Sequence, residues 1–394
     1  MAHHEDLTLI EAALEALKEE GLEGMGKAIR ILLNEAMKHE RASFLRAEPH
    51  ERSEARRGYG NGYKPKTVQS RIGALELQIP QVRDLVAGTE RFYPNALERG
   101  LRSERALKLA IAEMYVQGVS TRKVAAITQE LCGADVSSTS VSRAAKLLDK
   151  ELSSWRSRPL GETPYLVLDA RYEKVRHAGS VIDCAVLIAK GVRRDGKRSI
   201  LGVSVSLSEA EVHWREFLES LLKRGLCGVR MITSDDHAGL GAARRATLSG
   251  VPWQRCQFHL QQNAGAYVPK QSMRESVARD IKSIFTASDR THGDQRLREI
   301  VGKYKKSAPQ LSEWIENALV EGLTVFKLPA GHRRMLRTTN GLERLNREIK
   351  RRTRVASLFP NEESLLRLVT AVIAEVSEEW ETGRIYINLE NGAA

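Results

Sequence analysis

The run Tyr165-Leu166-Val167-Leu168-Asp169-Ala170-Arg171-Tyr172-Glu173-Lys174-Val175 reads as a β-strand. Val181 to Val192 is a second strand, and an Asp195-Gly196 turn leads into a third, Ser199 to Leu207, so the three form an antiparallel meander. Glu209 to Arg224 follows as an amphipathic helix carrying Trp214, Phe217, Leu218, Leu221 and Leu222. Val229 to Ser234 is a short buried strand, Leu240 to Leu248 a helix, and Val251 to Phe258 a further strand that runs into helix. The order is βββ-α-β-α-β-α.

That order is the one of the ribonuclease H-like fold, an α/β class. Downstream, Leu260 to Leu328 is helical without strands, with Ile281, Ile284 and Phe285 on one apolar stripe and Leu297, Ile300, Val301 and Tyr304 on another. A block of this size is expected to interrupt the α/β unit. Asn340 to Trp380 reads as two helices separated by Phe359-Pro360-Asn361. Upstream, Leu7 to Leu45 is helical, broken by Gly21, Gly24 and Gly26, and a basic glycine-rich segment spans Arg56 to Lys64. Thr67 to Arg83 alternates like strands with Gly73-Ala74 as the turn and Pro80 as the end. From Ser103 the period is helical again. Helices at Thr121 to Leu131 and Ser140 to Leu152, with Ser120 and Ser138 as N-caps, resemble a helix-turn-helix exposing Ser140, Ser142, Arg143 and Lys146. A small helical linker bundle is the alternative. The division that follows is 1–60 helical, 61–100 β-hairpin, 101–158 helix-turn-helix, 159–262 first part of the core, 263–332 helical insertion and 333–394 second part of the core.

Length and charge fit this picture. The 394 residues exceed one ordinary domain, and 42% hydrophobic content excludes wholesale disorder. Lys and Arg outnumber Asp and Glu by 62 to 50, a net +12 that favours a polyanionic partner. No apolar run approaches the roughly 18–20 residues of a membrane span, and no signal-peptide core is present, so a cytoplasmic, nucleoid-associated location is expected. Cys132, Cys184, Cys227 and Cys256 form no C-x-x-C pair, which argues against a disulfide framework.

The chemistry is expected at strand ends. Asp169 closes the first apolar run and Asp235 closes Val229 to Ser234. In neighbouring strands the two carboxylates would repel unless a divalent cation sat between them. Strand-end turns or an N-cap are the structural alternative. A third carboxylate, Glu343, opens a helix whose apolar face is Leu342, Leu345 and Ile349. Asn340 with Glu343 also fits a capping box, and Glu343 with Arg347 an i, i+4 ion pair. Neither accounts for nine Arg or Lys against two Glu between Arg333 and Arg354, a net +7 in 22 residues that must face solvent or phosphate. Arg337, Arg344, Arg347, Lys350, Arg351, Arg352 and Arg354 are the candidate contacts here, with Arg122, Ser140, Arg143 and Lys146 upstream. Two Mg²⁺ ions, replaceable by Mn²⁺, on Asp169, Asp235 and Glu343 would suffice for phosphodiester chemistry without a protein nucleophile. Cys256 and His259 have the spacing of zinc ligands but no second pair, which favours a supporting role; His237 lies two residues past Asp235.

These residues carry a family likeness. Gly118-Val119-Ser120-Thr121-Arg122, Leu168-Asp169-Ala170-Arg171-Tyr172, Ser234-Asp235-Asp236-His237-Ala238-Gly239-Leu240, Cys256 through His259, Arg337-Thr338-Thr339-Asn340-Gly341-Leu342-Glu343-Arg344-Leu345-Asn346 and Phe359-Pro360-Asn361-Glu362 stand in one order along the chain. In them the chain resembles the Mutator-type transposases of bacterial insertion sequences. The resemblance implies an acidic triad at Asp169, Asp235 and Glu343, Asp235 being favoured over the adjoining Asp236. It implies a Cys-x-x-His element at Cys256 and His259, an insertion before the glutamate helix, and N-terminal regions for DNA binding and dimerisation. The implied activity is cutting at the terminal inverted repeats and joining 3′-hydroxyls to target DNA, as a homodimer on double-stranded DNA. A nuclease or resolvase that cuts without joining, and a non-enzymatic repressor, are the competing functions.

Overall fold

The computed structural model describes residues 2–86, 91–97, 103–356 and 358–389, and only the backbone of residues 2–8. The boundary expected between residues 100 and 101 lies outside these residues. The chain is mixed α/β and divides into two compact units, Met1–Leu147 and Leu148–Ala394.

In the first unit, helices Ala2–Glu20 and Met25–Leu45 flank a turn at Gly21 to Gly24. An antiparallel ribbon follows, β1 (Tyr59–Ser70) on β2 (Gly73–Arg83). Two expectations are corrected here. The turn is Arg71-Ile72, because Ser70 already pairs with Gly73. From Tyr59 the glycine-rich segment is already strand, and Pro80 does not end β2: it sits opposite Tyr63 at a bulge, where a missing N–H is tolerated. Val68, Leu75, Leu77 and Ile79 close a small core with Met37 and Leu97.

Three helices complete this unit, Arg105–Val116, Thr121–Cys132 and Ser138–Ala145. Ser120 caps the second as expected, its hydroxyl accepting from the Lys123 N–H. The third is capped by Ser137 and not Ser138, since Ser137 is the residue with extended backbone, which lets its hydroxyl reach the Ser140 N–H. That helix stops at Ala145. Lys146–Leu148 is a 3₁₀ turn, and a separate helix, Asp149–Ser157, opens the second unit.

The second unit is built on one mixed sheet of β3 (Tyr165–His177), β4 (Ser180–Val192), β5 (Arg198–Ser206), β6 (Met231–Ser234) and β7 (Trp253–Arg255), in the order β5-β4-β3-β6-β7. The meander pairs antiparallel, and β6 and β7 join parallel to β3, with Tyr165 opposite Met231 and Val167 opposite Thr233. β4 is buried from Cys184 to Val192, which is why that stretch is apolar without alternation. Gly196 is required at the β4–β5 turn: its φ is +75°, and a Cβ there would lie 2.1 Å from the Ile387 carbonyl oxygen.

Leu166, Leu168, Leu187, Leu201 and Ile232 face helices Glu211–Lys223 and Ala238–Thr247, with Trp214 fully buried between them. Tyr165, Val192 and Met231 join a second core with the helical block. This block comprises Arg274–Phe285, Arg290–Tyr304, Pro309–Ala318 and the 3₁₀ run Leu319–Lys327. Both apolar stripes of its sequence are inside. β7 is shorter than expected, because the chain turns helical at Gln257 (Gln257–Ala264). After a short helix, Ala330–Leu336, come the two last helices, Glu343–Ala356 and Glu362–Thr382, the latter capped by Asn361.

Candidate active site

The parallel register of β3 and β6 places the first two carboxylates. Asp169 and Asp235 each lie two residues beyond the Val167–Thr233 pair, side by side where the strands leave their ladder. Asp169 is half-buried, and its carboxyl is pushed up to about 6, first by burial and further by the Asp235 charge, against the hydrogen bond it accepts from Asn346. Asp236 is turned away, its carboxylate 3.0 Å from the Arg255 guanidinium.

Glu343 stands at the first turn of its helix, and Asn346 three residues on donates from Nδ2 to Asp169 Oδ2 at 2.8 Å. Arg171, two residues past Asp169, bonds the Asn346 carbonyl oxygen. The helix is therefore fastened to β3 one turn beyond Glu343. Asn340 to Leu342 is a 3₁₀ turn, and among the described residues neither the capping box nor the Glu343–Arg347 ion pair forms. The Glu343 side chain is exposed and has no hydrogen bond or ion pair among the described residues. Among the described residues no three His, Cys, Asp or Glu side chains stand close enough to hold an ion together. The arrangement is an adjacent aspartate pair with Glu343 on the helix docked beside it. A buried carboxylate pressed by a like charge fits a divalent cation.

Cys256 and His259 join this site. Cys256 is fully buried, and its sulfur accepts from the Thr339 N–H at 3.3 Å, which ties the end of β7 to the segment leading into the glutamate helix. Burial raises the Cys256 thiol, but bonding to His259 and Thr339 outweighs it and the net shift is downward. The Cys256 thiol raises the His259 pKa against burial, and the charges of Asp235 and Asp169 add to the rise. His237 takes the N-cap position of Ala238–Thr247 with Nδ1 3.8 Å from Glu209.

The expected phosphate contacts divide. Arg347, Lys350 and Arg354 are exposed and meet no carboxylate among the described residues, and Arg344 and Arg351 are exposed with Glu379 at 3.8 Å and Glu348 at 2.9 Å. Arg337 is half-buried. Arg352 is a correction. It is 5% exposed and pairs with Glu375 at 2.9 Å, because it lies on the side of the helix that packs on Glu362–Thr382, and so it anchors the helix and does not face DNA. In the first unit Arg122, Arg143 and Lys146 are exposed, whereas the Ser140 hydroxyl lies 3.0 Å from that of Ser137 within the cap.

Two residues escaped the sequence reading. Asn346 was legible only as an amide, a poor helix former, inside a strongly cationic helix. Lys190 is the one cation within the apolar run of β4. It is fully buried, its Nζ makes no hydrogen bond among the described residues, and burial, aided by Arg198, lowers it to about 7. Gly341 leaves room for it: a Cβ there would lie 2.4 Å from Nζ.

Comparison with known proteins gives a consistent result. Residues 1–383 match the family model described as transposase, Mutator family. The chain is 58% identical over 390 residues to the transposase for insertion sequence element IS406 of Burkholderia multivorans, covering 98% of this chain and 99% of that protein. It is 42% identical over 381 residues to the ISRM5 transposase of Rhizobium meliloti, at 96% and 94% coverage. It is 36% identical over 368 residues to the IS256 transposase of transposon Tn4001 from Staphylococcus aureus, at 91% and 92%.

Proposed function

The chain belongs to the Mutator family of transposases, and from that premise we propose that it binds the terminal inverted repeats of its own insertion sequence, cleaves at the element ends and joins the 3′-hydroxyls to target DNA. The observation that carries this reading is the Asp169–Asp235 pair, held under a cationic helix whose first-turn glutamate has no partner of its own. The sheet order β5-β4-β3-β6-β7 supports a ribonuclease H-like core, with the helices from 257 to 336 as its insertion.

Asp169 and Asp235, joined by Glu343 once its exposed side chain turns toward them, would hold two Mg²⁺ ions, which when bound would lower the pKa of an attacking water or 3′-hydroxyl and stabilise the leaving 3′-oxygen. Asn346 orients the Asp169 carboxylate by donating to Oδ2. Cys256, through Thr339, keeps the start of the glutamate helix against β7, and His259 bonds that thiol and feels the charges of both aspartates. Arg337, Arg344, Arg347, Lys350, Arg351 and Arg354 set the phosphate backbone across the site, and Arg122, Arg143 and Lys146 hold the end sequence. Paired ends call for a homodimer on double-stranded DNA. Among the described residues no helix is long and apolar enough to cross a membrane.

Purified protein incubated with Mg²⁺ and a labelled duplex copied from the flanking inverted repeats tests the reading. Cut and joined products are expected; cutting alone indicates a nuclease, and binding alone a repressor.

A further inference from the structure

The ribbon of the first unit has an unburied end that the reaction above does not use. From Tyr59 to Pro65 every residue of β1 is exposed, on both faces, although β2 beside it alternates and buries Ile79 and Pro80. A strand that packs on one side only should hide every second residue. Here the two aromatics, Tyr59 and Tyr63, are 55% and 45% exposed. Residues 56–66 contain Arg56, Arg57, Lys64 and Lys66 and no acid, a net +4 in 11 residues.

The rings are held in place. The Arg41 guanidinium lies 4.9 Å from the centre of the Tyr63 ring and donates to the Tyr63 hydroxyl at 3.0 Å. Arg56 lies 5.4 Å from the centre of the Tyr59 ring and donates to the Glu48 and Glu51 carbonyl oxygens, so those glutamates meet it with backbone and not with charge. Among the described residues the Arg57 and Lys64 side chains meet no carboxylate. Between the tyrosines the register slips, and Gly62, at φ +69° with nothing within 4 Å of its Cβ position, lets the strand bulge outward.

We propose that this open end of the β1–β2 ribbon is a second DNA-binding arm, with Arg57 and Lys64 on phosphates and Tyr59 and Tyr63 against the sugar–phosphate wall. A two-stranded ribbon matches the width of the major groove, and tyrosine hydroxyls with unpaired cations are the groups that position a duplex backbone. Its contacts are distinct from those of the helices between Thr121 and Ala145. The inference rests on the proposed function in taking end DNA as the ligand.

The test uses the full chain and the flanking-repeat duplex, with fluorescence anisotropy over a salt series and hydroxyl-radical footprinting. Arg57→Ala/Lys64→Ala is expected to lower the salt slope by about 2, roughly one per phosphate contact. Tyr59→Ala/Tyr63→Ala is expected to weaken binding about tenfold and to erase one patch of the footprint, while Tyr59→Phe/Tyr63→Phe, which keeps the rings, loses less. Variants that match wild type in affinity, slope and footprint overturn the arm alone. A wild-type chain that binds no end duplex overturns the proposed function with it. Unchanged DNA binding with an altered assembly state would place the arm on a protein interface and equally overturn the inference.

Discussion

Asp169 is where burial, charge and proposed chemistry meet. Its carboxyl is at about 6 in the folded chain against an ordinary 3.8, so the folded state holds the proton more tightly between those values. Stability therefore falls as pH rises from about 4 to 6, and the full deficit, at most about 3 kcal/mol, is present above that range. Asp169→Asn removes the burden. In metal-free buffer at pH 8, urea unfolding should find the variant more stable than wild type, with the gap closing by pH 4; equal stability at both pH values would refute the burial argument. At Cys256 the expectation is opposite. Cys256→Ala leaves the Thr339 N–H buried and unpaired and should cost about 1–3 kcal/mol by the same measurement. The aspartates were legible because each ends an apolar run, where a charge must be explained. Asn346 and Lys190 were not, since their meaning depends on which distant backbone or side chain they meet.

Helices and strands separate similar residues by what lies across from them. Arg347 and Arg352 are five apart on one helix, yet the first faces solvent and the second Glu375. Arg347→Ala is expected to leave the melting temperature unchanged and lower the salt slope of DNA binding by about 1. Arg352→Ala should do the reverse, costing about 1–3 kcal/mol of stability with the slope intact, in parallel thermal and binding titrations. Ser137→Ala should likewise remove a cap and about 1 kcal/mol, and Ser138→Ala almost nothing. Periodicity located most of these elements but not their ends. Ser137 and Ser138 are identical to any composition rule, and only the extended backbone of Ser137 decides which one caps. The alternating pattern begins only at Thr67, yet the strand begins at Tyr59 because β2 supplies a ladder.

At the scale of the molecule, the βββ-α-β-α-β-α order was readable because each strand is bounded by a turn or a helix of clear period. The parallel pairing of β3 with β6 follows from that order, and the pairing sets Asp169 beside Asp235. The position of Glu343 was less legible, because it depends on contacts across large sequence separations: Asn346 to Asp169, and Thr339 to Cys256. The proposed chemistry requires Glu343 to act with the two aspartates on one phosphodiester. Glu343→Gln keeps the helix, the Asn346 bond and the cationic face, and removes only the charge. Assayed with Mg²⁺ on the flanking-repeat duplex, the variant is expected to bind as tightly as wild type and to yield neither cut nor joined strands; near-normal cleavage by Glu343→Gln would contradict the account.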